Sequence, residues 1–293
     1  MKKLVLSATA IAFSFFLQAQ INTPAPSPFS KTEQKVGLTD VTLEYSRPSM
    51  RGRTIFGGLE EYGELWRTGA NARTKITFSD DVTVDGQQLK AGSYSIYTKP
   101  GQQSWEVFFY TEADGGGYPQ QWDDSKVAAK TTVETFQLPV DIETFTITFD
   151  DLTSNSANLG IMWERTYVAI PIEFPTDKKV MESIESAMSG SPKANDYYAA
   201  ATYYFSEGKD VSQADKWMDK AMEMTEEPAF WQLRQQSLIK AKAGDKKGAI
   251  KAAKASLAKA KAVALPIPCA AAVTTISLFL SLMIIQLTPI FSV

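Results

Sequence analysis

The chain has 293 residues, 22% of them charged, a formal net charge of −3, no histidine and one cysteine. That length accommodates two domains, each able to bury a core of its own. Between residues 20 and 261 there is neither cysteine nor histidine. This excludes Ser-His-Asp and Cys-His catalysis, a zinc centre and a disulfide framework, and leaves carboxylate pairs, Ser-Lys, Tyr or hard-metal sites. No cofactor is expected.

In chain order, residues 1–19 read as a secretory signal peptide: Lys2 and Lys3, an apolar run from Leu4 to Leu17, then small and polar residues. The run is short for a membrane span, so the expected address is the periplasm or the cell exterior. Residues 20–29, containing NTPAPSP, form a proline-rich spacer. Short runs rich in β-branched and aromatic residues follow at 41–45, 74–78, 81–84, 93–98, 105–110, 144–149, 157–163 and 166–174. Turn pairs such as Asp85-Gly86 and Pro100-Gly101 separate them, and residues 111–130, with Gly115-Gly116-Gly117, read as a surface loop. Strands without intervening helices predict an antiparallel, jelly-roll-like β-sandwich over residues 30–175. Its interior is expected to hold Ile76, Phe78, Tyr94, Ile96, Val107, Phe109, Phe145 and Ile147.

From residue 176 the period becomes helical. Ala214, Met218 and Ala221 recur as Ala249, Ala253 and Ser256, and the turn Gly208-Lys209-Asp210 recurs as Gly244-Asp245-Lys246. Residues 176–261 therefore read as an all-α, tetratricopeptide-like segment. The charge-free apolar tail at 262–293 is read as a membrane anchor or a sequence artefact. It is long enough to span a bilayer, but its lysine-rich flank lies on the side opposite to that expected for an exported protein. Membrane association is expected only if that anchor is real.

Five of the seven arginines, Arg47, Arg51, Arg53, Arg67 and Arg73, fall within 27 positions. The guanidinium fork binds carboxylate, phosphate or sulfate through two prongs and stacks on aromatic rings. With Trp66 and Asn71, these arginines form the candidate ligand site, centred on the stretch WRTGANAR at 66–73. The competing reading is architectural: the arginines satisfy loop carbonyls, with Glu60, Glu61 and Glu64 neutralising them. Arg67 is expected to be such a clasp, and Arg51 and Arg53 to belong to the site. The acidic pairs Asp80-Asp81, Asp123-Asp124 and Asp150-Asp151 lack the alternating spacing of a calcium loop.

YSRPSMRGRTIFGGL, then YGELWRTGANARTKITFSDDVTV, then LKAGSYSIYTKPG resemble the bacterial family known as domain of unknown function 2911, over residues 30–174. The resemblance implies export, a β domain placed first and often a helical repeat tail; it brings no activity and no catalytic residues. The expected function is a non-catalytic binding or scaffolding protein of the cell envelope. Its expected partners are a glycan or anionic small molecule and, through the helical repeat, a protein. The alternative is a carbohydrate-active enzyme using a carboxylate pair among Glu112, Asp114, Asp123 and Asp124. No basic, aromatic-laced strip points to nucleic acid.

Overall fold

The computed structural model describes residues 23–264; the expected signal peptide and nearly all of the apolar tail lie outside them. Among the described residues no helix is long and apolar enough to cross a membrane. The chain divides into two compact units at Lys179/Val180.

The first unit is antiparallel. Its strands are β1 (Phe29–Val36), β2 (Thr39–Ser46), β3 (Lys75–Phe78), β4 (Val82–Val84), β5 (Gln87–Leu89), β6 (Gly92–Lys99), β7 (Ser104–Tyr110), β8 (Val127–Asp150) and β9 (Ser156–Glu173). They follow the order β1-β2-β3-β6-β7-β8-β9-β4-β5. The long strand β8 makes the fold: residues 127–134 pair with β7, and residues 135–150 pair with β9 across two register shifts. The sheet thus continues into a second layer that lies over the first. Tyr45 of β2 reaches across, its hydroxyl receiving the Ile147 amide of β8 at 3.0 Å.

Strand alternation decides what lies between the layers. Val41, Leu43 and Tyr45 of β2, Tyr94 and Ile96 of β6, Val107 and Phe109 of β7, and Phe145 and Ile147 of β8 share one core. All eight residues expected in the interior are part of it. At its centre Trp66 stacks on Trp163, with ring centroids 5.9 Å apart and planes 18° apart. Phe56, Trp105 and Phe145 meet Trp66 edge-on. The β6–β7 pair is buried on its other face too: Tyr97, Phe108 and Tyr110 form a second cluster with Leu65, Trp122 and Val127. The segment 111–126 is the cover for that face.

Several boundaries differ from expectation. β1, β5 and residues 127–143 of β8 were not foreseen, and the loop expected over 111–130 ends at residue 126 because Val127–Lys130 pair with β7. β1 is a mostly polar edge strand carrying Lys31, Glu33 and Lys35, the composition that keeps an exposed edge from pairing with other chains. The strands expected at 157–163 and 166–174 are one strand, β9, with Glu164 at φ 54° interrupting the alternation where the register shifts.

Helix α1 (Thr176–Ser189) runs across the boundary, and two helix hairpins follow in the second unit: α2 (Ala194–Ser206) with α3 (Val211–Glu223), and α4 (Phe230–Lys242) with α5 (Lys246–Ala264). The recurring turns hold equivalent places. Gly208 and Gly244 take positive φ, and Asp210 and Asp245 each accept amides of the helix that follows. Ala214, Met218, Ala221, Ala249 and Ser256 are buried as the repeat pattern requires, and at the remaining position Ala252 is buried beside half-buried Ala253. Lys240 of α4 bridges Asp215 and Asp219 of α3 at 3.1 and 2.8 Å.

Phe145 is fully buried and touches Tyr45, Trp66 and Trp163. Phe145→Ala is expected to destabilise the β domain by about 3 to 5 kcal/mol, read as a lower denaturant midpoint at unchanged slope.

Candidate functional site

The stretch WRTGANAR begins as a strand and then leaves regular geometry. Trp66 exchanges both backbone hydrogen bonds with Thr98 of β6, at 2.7 and 2.9 Å. After it, Thr68 and Asn71 adopt φ of 56° and 59° and Gly69 lies at 144°. A β-branched residue is strained there. Tertiary bonds hold it: the Thr68 carbonyl accepts the Thr74 hydroxyl at 2.5 Å, and its own hydroxyl meets Thr98 Oγ1 at 3.1 Å.

Four of the five arginines are spent on backbone. Arg47 donates to the Phe145 carbonyl and to Thr146 Oγ1, at 3.0 and 2.7 Å, tying β2 to β8. Arg51 donates to the Pro26 carbonyl at 2.9 Å. Arg53 donates to the Met50 and Ser49 carbonyls at 2.8 and 2.7 Å. Arg73, its side chain only 8% exposed, holds the carbonyls of Glu112, Asp114 and Gly117 at 2.9, 3.1 and 3.3 Å. Asn71 donates to the Ser27 carbonyl and Ser46 Oγ. Together Arg47, Arg51 and Asn71 pin residues 26–28 ahead of β1, so the end of the proline-rich spacer is a fixed part of the domain.

The expected roles are therefore redistributed. Trp66 is 2% exposed, so its ring has no free face for a ligand. Arg51 and Arg53, expected in the site, hold backbone instead. Arg67, expected to be the clasp, makes one long contact to the Gly69 carbonyl at 3.4 Å. Among the described residues no carboxylate pairs with Arg67. Its guanidinium lies beside Gly117, where an added Cβ would sit 3.6 Å from Nη1.

Within the electrostatic reach of Arg67 is Glu60. It is half-buried in the loop after Phe56, and its backbone is fixed by Gly57 and Ile55 at 2.8 and 2.9 Å. Its carboxyl has no hydrogen-bond or ion-pair partner among the described residues. Burial raises its pKa to about 7, against the opposing pull of Arg67 and Arg53. Tyr118 completes the group: its ring is 46% exposed and stacks on Tyr97, and its hydroxyl lies against the backbone of Arg67 within the field of Glu60. Tyr62, also exposed, packs against Gly57 in the Glu60 loop. Residues 115–117, laced to residues 71–73, set the height of Tyr118. Gly117 at φ 59° allows that path, and its carbonyl also accepts the Tyr97 hydroxyl at 3.1 Å.

Glu60 and Tyr118 were missed by sequence reasoning. Glu60 was counted as a neutraliser of the arginines, a role it does not fill, and Tyr118 carried no signal beyond its place beside a glycine run.

The carboxylates of the 111–124 loop are engaged. Glu112 meets Lys126 and Arg73, and the hydrogen bond from Lys126 holds its pKa below the usual carboxylate range. Asp114 pairs with Lys75 at 3.1 Å. Asp123 caps the short turn at Asp124–Lys126, and Asp124 accepts the Trp122 indole at 2.7 Å. Asp80, Asp81, Asp150 and Asp151 are likewise taken up by protein donors. Among the described residues no cluster of three or more potential metal ligands occurs.

The class defined by this fold is an antiparallel β domain, folded into two layers along β8, followed by helix hairpins. Residues 27–172 match the family described as "Protein of unknown function (DUF2911)", and the chain's β domain belongs to that family. No curated protein and no solved structure matches the chain.

Arg73→Lys keeps the charge and loses the fork that spans three carbonyls; it is expected to destabilise the domain by about 1 to 3 kcal/mol. Arg67→Lys is expected to change stability by less than about 0.5 kcal/mol. Urea unfolding of both variants gives the comparison.

A carboxyl whose folded pKa lies above its unfolded value destabilises the fold when ionised. The native state binds the extra proton between the two values, so this penalty is present above about pH 7 and fades as pH falls toward about 4.5. Glu60→Gln mimics the neutral acid, so at about pH 8 it is expected to gain about 1 to 2 kcal/mol after solvent screening. At about pH 4.5 the gain should vanish.

Proposed function

We propose that this chain is an exported, non-catalytic binding protein of the cell envelope, and that its β domain holds a sugar-like ligand between Glu60 and Arg67 against Tyr118. One observation carries the reading: a half-buried carboxyl lies in the electrostatic field of a half-buried guanidinium without pairing with it, and an exposed tyrosine lies within the field of both. Native proteins rarely leave buried polar capacity unused. Groups arranged in this way favour a partner that donates and accepts at adjacent positions and offers an apolar face, as vicinal hydroxyls on a sugar ring do. Export rests on the N-terminal signal pattern. The helix hairpins are proposed to present a surface to a protein partner, as stacked helical repeats do.

The test is direct titration of oligosaccharides into the full chain. Tyr118→Ala and Arg67→Ala are each expected to weaken binding at least about tenfold, roughly the loss of one good stacking or charged hydrogen-bond contact, with thermal unfolding nearly unchanged. Undiminished binding in both variants would remove the site. Hydrolysis of the bound oligosaccharide would replace the binding reading with the carbohydrate-active enzyme.

A further inference from the structure

We propose that the β domain carries a second binding site, a cavity lined by Phe29, Glu44, Arg73, Lys75 and Asp114, and that it takes a single neutral pyranose unit.

The cavity measures about 110 Å³ and opens to solvent where the start of β1, the end of β2, residues 72–75 and residues 113–115 meet. That is several times the space one water requires, and it suits one small unit rather than a long chain. Glu60, Arg67 and Tyr118 do not line it, so it is separate from the group described above. Its walls are fixed by the arginine clasps. Arg47, Arg51 and Asn71 pin residues 26–28 immediately before Phe29, and Arg73 holds the carbonyls of Glu112, Asp114 and Gly117. The Gly115 carbonyl accepts the Arg73 amide at 3.2 Å. Gly115 lies at φ 131°, and a Cβ added there would sit 3.3 Å from Arg73 Cζ, so the turn runs against the guanidinium without a side chain covering it.

The lining defines the ligand. Phe29 is 64% exposed, an aromatic face held on a pinned backbone. The Arg73 side chain is only 8% exposed. Its Nε and Nη1 are taken by carbonyls and by Glu112, while Nη2 has no acceptor among the described residues. A spare donor on so buried a side chain calls for a partner. Lys75 lies between Glu44 and Asp114, 3.1 Å from each, which uses two of its three protons. Each of those carboxylates keeps an oxygen without a partner among the described residues. Two spare donors and two spare acceptors therefore line one space, and their charges cancel. An anion there would meet Glu44 and Asp114, and a cation would meet Arg73 and Lys75. A neutral group that donates and accepts at adjacent positions satisfies all four, as vicinal hydroxyls do, and the C–H face of a pyranose ring covers Phe29.

The probes are the methyl glycosides of glucose, galactose and mannose, with methyl glucuronate and glucosamine as anionic and cationic counterparts, each titrated into the full chain and followed by saturation-transfer NMR. At least one neutral glycoside is expected to bind, and Phe29→Ala to weaken it at least about tenfold. Ala72 also lines the cavity. Ala72→Phe fills the space and leaves the bonds of Arg73 and Lys75 in place, so it should abolish binding with thermal unfolding nearly unchanged. Tyr118→Ala and Arg67→Ala should leave this binding intact, and that pattern supports the second site whatever the oligosaccharide titration shows at Tyr118. Undiminished binding in Phe29→Ala and Ala72→Phe overturns the cavity as a site; if Tyr118→Ala then abolishes it, the sugar belongs to the first site alone. Tighter binding of methyl glucuronate or glucosamine than of every neutral glycoside overturns the neutral assignment. No binding by any probe removes the second site and leaves the first to its own oligosaccharide titration.

Discussion

The stack of Trp66 on Trp163 joins the two layers of the β domain, and the placement of the candidate site depends on it. Trp66 is locked on one side by its backbone ladder with Thr98 and on the other by the ring contact with β9. Extended chain sends successive side chains to opposite faces. With Trp66 inside, Arg67 is directed outward, toward Gly117 and Tyr118. The indole nitrogens of Trp66 and Trp105 have no acceptor among the described residues. The rings meet at 80°, an edge-to-face arrangement in which N–H groups find ring faces as weak acceptors. Moving either ring would therefore disturb the layer contact and the direction of Arg67 together.

The arginine bias in the sequence has a physical cause. Residues 47–74 connect β2 to β3 without forming a ladder of their own, so many carbonyls in the connection and its neighbours lack the partners that a sheet would supply. A guanidinium carries five donors in a rigid fork, which lets Arg73 hold three carbonyls and Arg53 two. Lysine, a point charge on a flexible stem, does not span such sets. Arg67 is the departure from this pattern within the stretch: it makes one long contact to a single carbonyl.

Alternation made the core legible, because a β-strand writes its buried face into every second residue: Ile76, Phe78, Phe145 and Ile147 needed no structure to be placed. Strand ends and pairing were less legible. Pro139 and the bulges around residues 137–146 break the period of β8 while the strand continues, and β1 is too polar to show itself. The Gly208 and Gly244 turns were readable because tight turns demand particular residues. The candidate site was readable only by composition. WRTGANAR gave no way to tell which ring or guanidinium faces inward, because a residue's face depends on which strand it pairs with. Glu60 was opaque for a deeper reason: its shifted titration arises from burial in the folded chain, and Tyr118 comes from the far side of β7.

The clasp and site readings of the arginine cluster converge on one mechanical unit. Arg73 holds residues 112–117, and through them sets the position of Tyr118, which lies against Arg67 and beside Glu60. A chain without histidine has no side chain that titrates near neutrality unperturbed, so a response in that range requires a displaced group. Glu60 is displaced upward by burial, and Tyr118, next to the segment that Arg73 fixes, lies within its field. The buried clasp and the exposed tyrosine are thus one unit: loosening Arg73 would free residues 112–117 and with them the ring whose hydroxyl lies against the backbone of Arg67.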